Sequence, residues 1–304
     1  MSRINVLFIA QFPYTWHGTV VDRFYERGCS CAVLSPKGVC ETSSAEHFNL
    51  MYKLIDLPFA LEHACQEFNP DLIIPLDDLS ALQLRGLWRS RWVSSETNHR
   101  IENSIGNPES FYLARDRVAF TAEARRLGVL VPGGSLGIDF PFIAKWGYST
   151  GGYGTRLVKD EEDLLAVYSP GIRRRVRNYL GYLFYAFDRY EPIEFQSFVP
   201  GTAGMYTLAA KDGEVLDGAG FIATSLSDEF GSAIEKAYID HHMMRAQSAI
   251  MVKSLGLSGL VSFDFILDGG KATMIEMNPR TIQAALLAPG YGHDIIKTLI
   301  EANL

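Results

Sequence analysis

Residues 260–278 read LVSFDFILDGGKATMIEMN, which is two strand-like apolar stretches joined by a glycine turn. Successive side chains of a strand point to opposite faces, so Asp264 lies on the face away from its two phenylalanine neighbours. A two-residue hairpin turn at residues 269–270 places Asp264 opposite Glu276, to within about one residue of register. The stretch therefore predicts a β-hairpin with paired carboxylates at its centre.

This carboxylate hairpin has the composition of a magnesium site. Burying two carboxylates together is unfavourable unless a cation lies between them. Asp264, Glu276 and Asn278 offer the hard oxygen ligands that Mg²⁺ prefers, and Mg²⁺ completes its shell with nucleotide phosphates. Arg280 adds a cation just beyond them. An arrangement with one acid in solvent and the other in a salt bridge remains open.

A second hairpin carries glycines instead of acids. Residues 142–146 and 155–158 read as strands, and GYSTGGYG at residues 147–154 joins them. Backbone N–H groups of such a loop are unobstructed and can close over phosphate oxygens. Lys145, at the end of the first strand, supplies a fixed positive charge nearby. The loop is not a Walker P-loop, because no Gly-Lys-Ser/Thr opens a helix here, and a purely structural turn remains the alternative.

The first hundred residues alternate strand and helix patterns. Residues 4–10, 31–34 and 72–76 are apolar runs of strand length, and residues 17–27, 59–68 and 80–88 have helical spacing. This order predicts a parallel sheet with helices on its faces. The turn after the first strand lacks G-x-G-x-x-G, so we expect a Rossmann-like lobe without a dinucleotide site.

Asn107-Pro108 marks a boundary, and a helix is expected from Ser110 to Leu127. Antiparallel strand patterns then dominate, which indicates an α+β domain. Residues 171–190, GIRRRVRNYLGYLFYAFDRY, are unusually basic. They fit either an amphipathic surface helix or a lid that attracts an anionic substrate.

Bulk composition excludes several classes of protein. The net charge of −7 argues against a nucleic-acid surface. The four cysteines have no zinc-like spacing and read as reduced, buried thiols. No run approaches the roughly 18 apolar residues of a membrane span, and no signal-peptide pattern is visible, so a cytoplasmic protein without a membrane partner is expected.

Taken in order, the motifs resemble those of the ATP-grasp superfamily. They are K-x-x-x-x-x-G-G-x-G from Lys145, EFQSFVPG at residues 194–201, DFI at residues 264–266 and EMNPR at residues 276–280. The resemblance covers residues 108–304 and implies ATP bound between two sub-lobes. It implies three parts: a Rossmann-like lobe at residues 1–107, a linker helix and small lobe with the glycine flap at 108–192, and a large lobe with the magnesium site at 193–304.

The resemblance also implies roles for individual residues. Lys145 and Arg280 would be catalytic, with Arg280 holding the carboxylate or phosphoryl group in transfer. Residues 194–199 would be the hinge strand whose backbone reads adenine. The full set of expected nucleotide contacts is Arg117, Lys145, Ser149, Gly151, Gly152, Gly154, Gln196, Ser197 and Val199, and the expected metal ligands are Asp264, Glu276 and Asn278.

Three positions depart from the pattern. Arg117 stands where the superfamily usually has a lysine, which keeps the charge but changes its shape. Residues 202–204 replace a ribose-binding glutamate by Thr-Ala-Gly. Lys236 is the one basic side chain between residues 220 and 239, where a phosphate-directed cation is expected.

The implied activity is an ADP-forming ligase that uses ATP and Mg²⁺ to activate a carboxylate as an acyl phosphate for attack by an amine. The substrates would be small molecules, amino acids among the candidates, and a homodimer is left open. Two alternatives stay open: a kinase-like phosphotransferase on the same scaffold, and a non-catalytic ATP-binding module. Trp16, His17, Asp77 and Asp78, at predicted strand ends, are candidate contacts for the second substrate, and His241 and His242 read as surface residues.

Overall fold

The fold is described from a computed structural model. It describes residues 3–51, 56–88, 90–110, 113, 116–134, 139–146, 155–168, 193–227, 231 and 233–304.

The N-terminal part of the chain forms a four-stranded parallel sheet in the order β3-β2-β1-β4. Its strands are β1 (Asn5–Ile9), β2 (Ser30–Ser35), β3 (Glu46–Asn49) and β4 (Leu72–Pro75). The helices between and after them are α1 (His17–Glu26), α2 (Leu57–Phe68), α3 (Asp78–Leu87) and α4 (Ser95–Ile105). The strands β1, β2 and β4 are almost wholly buried, which is why they appear as continuous apolar runs in the sequence.

Two elements of this part were not predicted. The edge strand β3 is mostly exposed, so it carries no apolar run. Helix α4 has a largely polar sequence, SETNHRIENSI, and buries only four of its side chains. Its first turn is held by the Ser94 hydroxyl, which accepts from the backbone N–H of Thr97.

The predicted helix from Ser110 to Leu127 was wrong in extent. A 3₁₀ turn spans Pro108–Ser110, and helix α5 (Arg117–Arg126) begins seven residues after Ser110. Asp116 precedes α5 in an extended conformation, and its carboxylate accepts from the N–H groups of Val118 and Ala119. A capping carboxylate starts a new helix here, where apolar spacing alone suggested a continuous one.

The rest of the chain forms two antiparallel sheets. The smaller, in the order β6-β5-β7, consists of β5 (Phe142–Trp146), β6 (Thr155–Val158) and β7 (Ile193–Ser197). The larger, in the order β10-β9-β8-β11-β12, consists of β8 (Thr202–Lys211), β9 (Glu214–Leu226), β10 (Ala233–Ile239), β11 (Gly259–Asp268) and β12 (Lys271–Asn278). Among the described residues of this part, further α-helices are α6 (Glu161–Tyr168), α7 (His242–Leu255) and α8 (Ile295–Glu301).

The parallel sheet and the larger antiparallel sheet share one hydrophobic core. Leu7 and Ile9 of β1 belong to the same buried cluster as Phe263 and Phe265 of β11. Near the expected boundary at residue 107, the backbone of Gly106 bridges to Leu257 and the N–H of Asn107 donates to the carbonyl of Gly256. The end of α4 is thus held by backbone hydrogen bonds against the segment between α7 and β11.

All four cysteines are buried, free thiols, as expected from their spacing. Burial raises the pKa of each thiol, to about 11 for Cys29 and Cys65 and to about 12 for Cys31 and Cys40. They are therefore protonated at neutral pH.

None of the helices among the described residues combines the length and apolarity needed to cross a lipid bilayer.

Candidate active site

The carboxylate hairpin has the predicted register. Strands β11 and β12 pair antiparallel with Asp264 directly opposite Glu276, and the turn consists of the two glycines at residues 269–270. A β-bulge follows, because Phe265 pairs with Met274 and Ile275 has no partner on β11. The amide of Asn278 donates to the Asp264 carboxylate at 3.1 Å. Two carboxylates and one amide are thus brought together on one face of the large sheet.

Arg117, the first residue of α5, forms an ion pair with this hairpin. Its guanidinium lies 2.7 Å from a carboxylate oxygen of Glu276, and its side chain is only 5% exposed. Burial acts to raise the pKa of Glu276, but the positive charges of Arg117 and Lys145 outweigh it and lower that pKa. Burial, and then the negative charge of Glu276, raise the pKa of Asp264 well above its usual value. A cation between the two carboxylates would relieve this repulsion.

Lys145 reaches the hairpin from the small sheet. It lies on β5 in register with Glu194 of β7, and its ammonium group donates to the bulged carbonyl of Ile275 at 3.3 Å. Lys145 is 5% exposed. Burial lowers its pKa to about 8, and the nearby charge of Arg117 acts in the same direction.

A buried hydrogen-bond network lies behind Lys145. The Gln196 amide donates to the Glu194 carboxylate at 2.8 Å and to the Thr121 hydroxyl at 3.1 Å. Burial raises the pKa of Glu194, although Thr121 and Gln196 stabilise its charged form. The side chain of Gln196 is therefore engaged inside the protein. Sequence reasoning assigned no role to the side chains of Glu194 or Thr121, because their proximity depends on how α5 docks on β7.

The hinge strand is partly committed to other contacts. The N–H of Ser197 donates to the carbonyl of Gly133 at 2.8 Å, so an adenine would be read by other groups of this segment. The side chain of Ser197 is exposed, and Val199 lies just beyond the strand and is half-buried. The expected flap residues Ser149, Gly151, Gly152 and Gly154, and the basic segment 171–190, lie outside the described residues.

Arg280 extends from the end of β12 to the N-terminal sheet. Its Nε and Nη2 atoms donate to the two carboxylate oxygens of Asp78 at 2.8 and 2.9 Å. Burial opposes the charge of Arg280, but the carboxylate of Asp78 outweighs it and raises the arginine pKa. Asp78, the first residue of α3, thus joins the site, whereas Asp77 caps α3 and accepts from Gln11 and Phe12 backbone N–H groups.

Other candidates have local partners. Lys236 donates to the carbonyl of Ala233 and to the Gln283 side chain, and burial lowers its pKa. His241 and His242 stack on each other at the start of α7, with ring centroids 5.8 Å apart.

Within the described part of the chain, no group of three or more His, Cys, Asp or Glu side chains could hold a metal ion. A magnesium site here would consist of two carboxylates, an amide oxygen and phosphate oxygens.

Curated relatives match part of the chain. It is 27% identical over 198 residues to the carbamoyl phosphate synthase large chain of Thermoplasma acidophilum, which is 60% of this chain and 18% of that protein. The corresponding protein of Deinococcus deserti is 22% identical over 213 residues, 63% of this chain and 20% of its own length. The chain thus spans about a fifth of the length of these relatives. No protein-family model matches the chain.

Solved structures match nearly its full length. Biotin carboxylase from Campylobacter jejuni, in complex with β-γ-ATP, gives a TM-score of 0.70 at 17% identity, over 99% of this chain and 71% of that one. The biotin carboxylase domain of Hydrogenobacter thermophilus 2-oxoglutarate carboxylase, with MgADP and bicarbonate, gives 0.69 at 16%, over 100% and 70%. N5-carboxyaminoimidazole synthetase from Staphylococcus aureus, complexed with ADP, gives 0.67 at 15%, over 98% and 78%.

These structural neighbours are ATP-grasp carboxylate–amine ligases. The chain therefore has the ATP-grasp fold, and the resemblance noted in its motifs is confirmed at the level of the fold.

Proposed function

We propose that this chain is an ATP- and Mg²⁺-dependent ligase, which phosphorylates a small carboxylate to an acyl phosphate and transfers the acyl group to an amine. The observation that carries the proposal is the pairing of Asp264 with Glu276 beside three buried cations, Arg117, Lys145 and Arg280. The complexes of the structural neighbours with β-γ-ATP, ADP and MgADP support a nucleotide at this place.

The residues present fit a magnesium ion. Asp264, Glu276 and Asn278 supply oxygen donors only, which suits a hard cation. Burial, and then the adjacent carboxylate of Glu276, raise the pKa of Asp264, and a divalent cation would offset both effects. When bound, Mg²⁺ would neutralise the β- and γ-phosphates of ATP at this face of the sheet.

The chain's own residues would position the reacting groups. Lys145 would contact the nucleotide phosphates from β5, and Arg117 would hold Glu276 in place. Arg280 would orient the substrate carboxylate, one oxygen of which attacks the γ-phosphorus while the bond to the bridging oxygen of ADP breaks. The amine nitrogen would then attack the acyl carbon and lose a proton as phosphate leaves.

The finer assignments belong to the same proposal. The three parts at residues 1–107, 108–192 and 193–304, with a Rossmann-like first lobe, are consistent with the sheet order along the chain. Nucleotide contacts by Arg117, Gln196, Ser197, Val199 and the flap, a cytoplasmic location and a homodimer stay predictions.

The test is ADP release from ATP in the presence of panels of small carboxylates and amines, with product analysis. A ligase needs both substrates, a phosphotransferase needs only one, and a binding module binds ATP without turnover. Glu276→Gln should lower turnover by at least a hundredfold, because a neutral amide holds Mg²⁺ poorly and leaves Arg117 unneutralised. Glu235→Gln, at an exposed position on β10, is the matched control and should keep full activity. Full activity of Glu276→Gln would refute this site.

A further inference from the structure

The crevice that receives Arg280 lies at a topological switch point of the parallel sheet. From β1 the chain passes first to β2 on one side, and later to β4 on the other side. Loops leaving the carboxyl ends of two such strands diverge, and the crevice between them is where open α/β sheets bind ligands. The segment after β1 holds Phe12, Tyr14 and Trp16, and the segment after β4 holds Asp77 and Asp78.

The two acids of this crevice, Asp77 and Asp78, differ in whether their carboxylates can contact a ligand. Asp77 is 1% exposed, and its oxygens accept from Gln11, Phe12 and Ser80. It therefore fixes the two loops to each other. The side chain of Asp78 is 26% exposed and faces the guanidinium of Arg280, whose side chain is 13% exposed. Asp78 and Arg280 thus present one negative and one positive group side by side to the crevice.

Arg280 keeps hydrogen-bonding capacity beyond this pair. A guanidinium carries five N–H donors. Its contacts with the described residues are two bonds to Asp78 and one to the carbonyl of Thr281. A carboxylate can therefore bind the remaining N–H groups without displacing Asp78.

An aromatic wall borders the charged pair. The rings of Tyr14 and Trp16 stack at 5.9 Å, and the Phe12 ring lies 6.4 Å from that of Tyr14. Phe12 and Tyr14 remain 42% and 44% exposed. The backbone N–H of Phe12 donates to Asp77, the neighbour of Asp78, at 3.1 Å, which holds the aromatic segment beside the pair. Burial raises the pKa of the Tyr14 phenol, and the charges of Arg280 and Asp78 also act on it.

We propose that this crevice binds the carboxylate substrate as an α-amino acid, with its carboxylate on Arg280, its ammonium on Asp78 and an apolar or aromatic side chain against Tyr14. This inference rests on the proposed function, because Arg280 is the residue that would present the carboxylate for phosphorylation. It adds the substrate class and a binding role for Asp78.

The charged pair selects a zwitterion by attraction and by repulsion. An anion on Arg280 that lacks an ammonium group would lie next to the carboxylate of Asp78, and the two negative charges would share the single positive charge of Arg280. An amino acid brings its own positive group, which takes up that carboxylate in a charge-assisted hydrogen bond. A site built around such a bond rejects the analogue that cannot make it, because a polar group of the site is then left unpaired.

The test measures binding to the full chain by calorimetry, in the presence of Mg²⁺ and a non-hydrolysable ATP analogue. The probes are L-phenylalanine, 3-phenylpropanoate, which lacks the ammonium group, and L-alanine, which lacks the ring. We expect L-phenylalanine to bind at least tenfold more tightly than either of the others. Asp78→Asn should reduce the preference for L-phenylalanine over 3-phenylpropanoate to about threefold or less. Asp240→Asn, at an exposed ion pair with Arg245, is the matched control and should leave the preference unchanged.

Equal binding of L-phenylalanine and 3-phenylpropanoate to the natural chain would overturn the inference, as would absence of amino-acid binding. This comparison needs no variant, so it stands even if Asp78→Asn fails to fold. An unchanged preference in a folded Asp78→Asn protein would also overturn it. Two other results would refute the proposed function itself. They are that the natural chain does not bind the ATP analogue, or that no carboxylate stimulates ADP release. ADP release stimulated only by acids without an amino group would retain the proposed function and refute the amino-acid assignment.

Discussion

The guanidinium of Arg117 is paired with the carboxylate of Glu276 at 2.7 Å, and this contact joins the first turn of α5 to the second strand of the carboxylate hairpin. Arg117 was expected to contact the nucleotide directly. In the structure its charge neutralises one of the two acids, which leaves Asp264 as the carboxylate with the raised pKa. The Arg117–Glu276 ion pair therefore favours the charged form of Glu276 over that of Asp264.

Loss of Arg117 should destabilise the protein. Arg117→Ala leaves the carboxylate of Glu276, whose side chain is 22% exposed, without its ion-pair partner. Breaking a fully buried ion pair costs about 3–5 kcal/mol, which is the upper limit for the expected loss. Urea unfolding at pH 7 measures this. The control is Arg126→Ala on the same helix, where the arginine pairs with Glu123 at the surface and no resolvable change is expected. Equal losses in the free energy of unfolding for the two substitutions would show that the Arg117–Glu276 pair contributes no more stability than a surface ion pair.

Nucleotide binding should weaken at alkaline pH. Lys145 has a pKa lowered to about 8 by burial, so it loses its charge as the pH rises through that value. A neutral amine attracts phosphates less, and affinity for ATP should fall between about pH 8 and pH 10 by up to about tenfold per pH unit, the limit for one proton. Titration of ATP binding by calorimetry measures the slope. Lys145→Arg, which stays charged, should bind ATP with an affinity that does not change over this range. A slope that persists in this variant would assign the titration to another group.

Stability should fall at mildly acidic pH because of His17. Burial lowers its pKa to about 4, from an ordinary value of 6.5, and its Nε2 lies 2.9 Å from the carbonyl of Leu76. Between these two values the unfolded chain binds a proton that the folded chain does not. The free energy of unfolding therefore decreases as the pH falls from about 6.5 to about 4, by about 3 kcal/mol in total at 1.36 kcal/mol per unit.

Urea unfolding at several pH values checks this prediction. His17→Gln retains a donor for the Leu76 carbonyl but does not titrate, so the same pH range should show a drop smaller by about 3 kcal/mol. An identical pH dependence in both proteins would exclude His17 as its source.

The contact between the end of α4 and the end of α7 should tolerate no side chain at residue 106. Gly106 and Gly128 have similar positive φ angles, 79° and 76°. A Cβ at Gly106 would lie 2.1 Å from the carbonyl oxygen of Gly256, whereas a Cβ at Gly128 would meet nothing within 4 Å. Gly128→Ala should cost about 1–2 kcal/mol, from backbone conformation alone. Gly106→Ala should cost at least about 2 kcal/mol more, because the backbone must move. Equal losses in thermal or urea unfolding would mean that this contact is not close.

The sequence by itself determined the hairpin that carries the acids. Alternation along LVSFDFIL and a two-glycine turn place Asp264 opposite Glu276 to within about one residue. The bulge at Ile275, which the sequence does not show, brings the two acids into direct register. The buried parallel strands could also be predicted from the sequence, since burial on both faces leaves a continuous apolar run. These features depend on residues close together in the chain.

Only the tertiary structure decided which cations meet the acids. The pairs Arg117–Glu276 and Arg280–Asp78, and the contact of Lys145 with the Ile275 carbonyl, join segments far apart in sequence. Their formation depends on how α5, the small sheet and the N-terminal sheet dock on β12, and no local pattern encodes that docking. The bulge at Ile275 also escaped prediction, and apolar spacing did not show the start of α5 after Asp116. A single unpaired residue or one capping carboxylate changes the backbone without changing the apolar pattern.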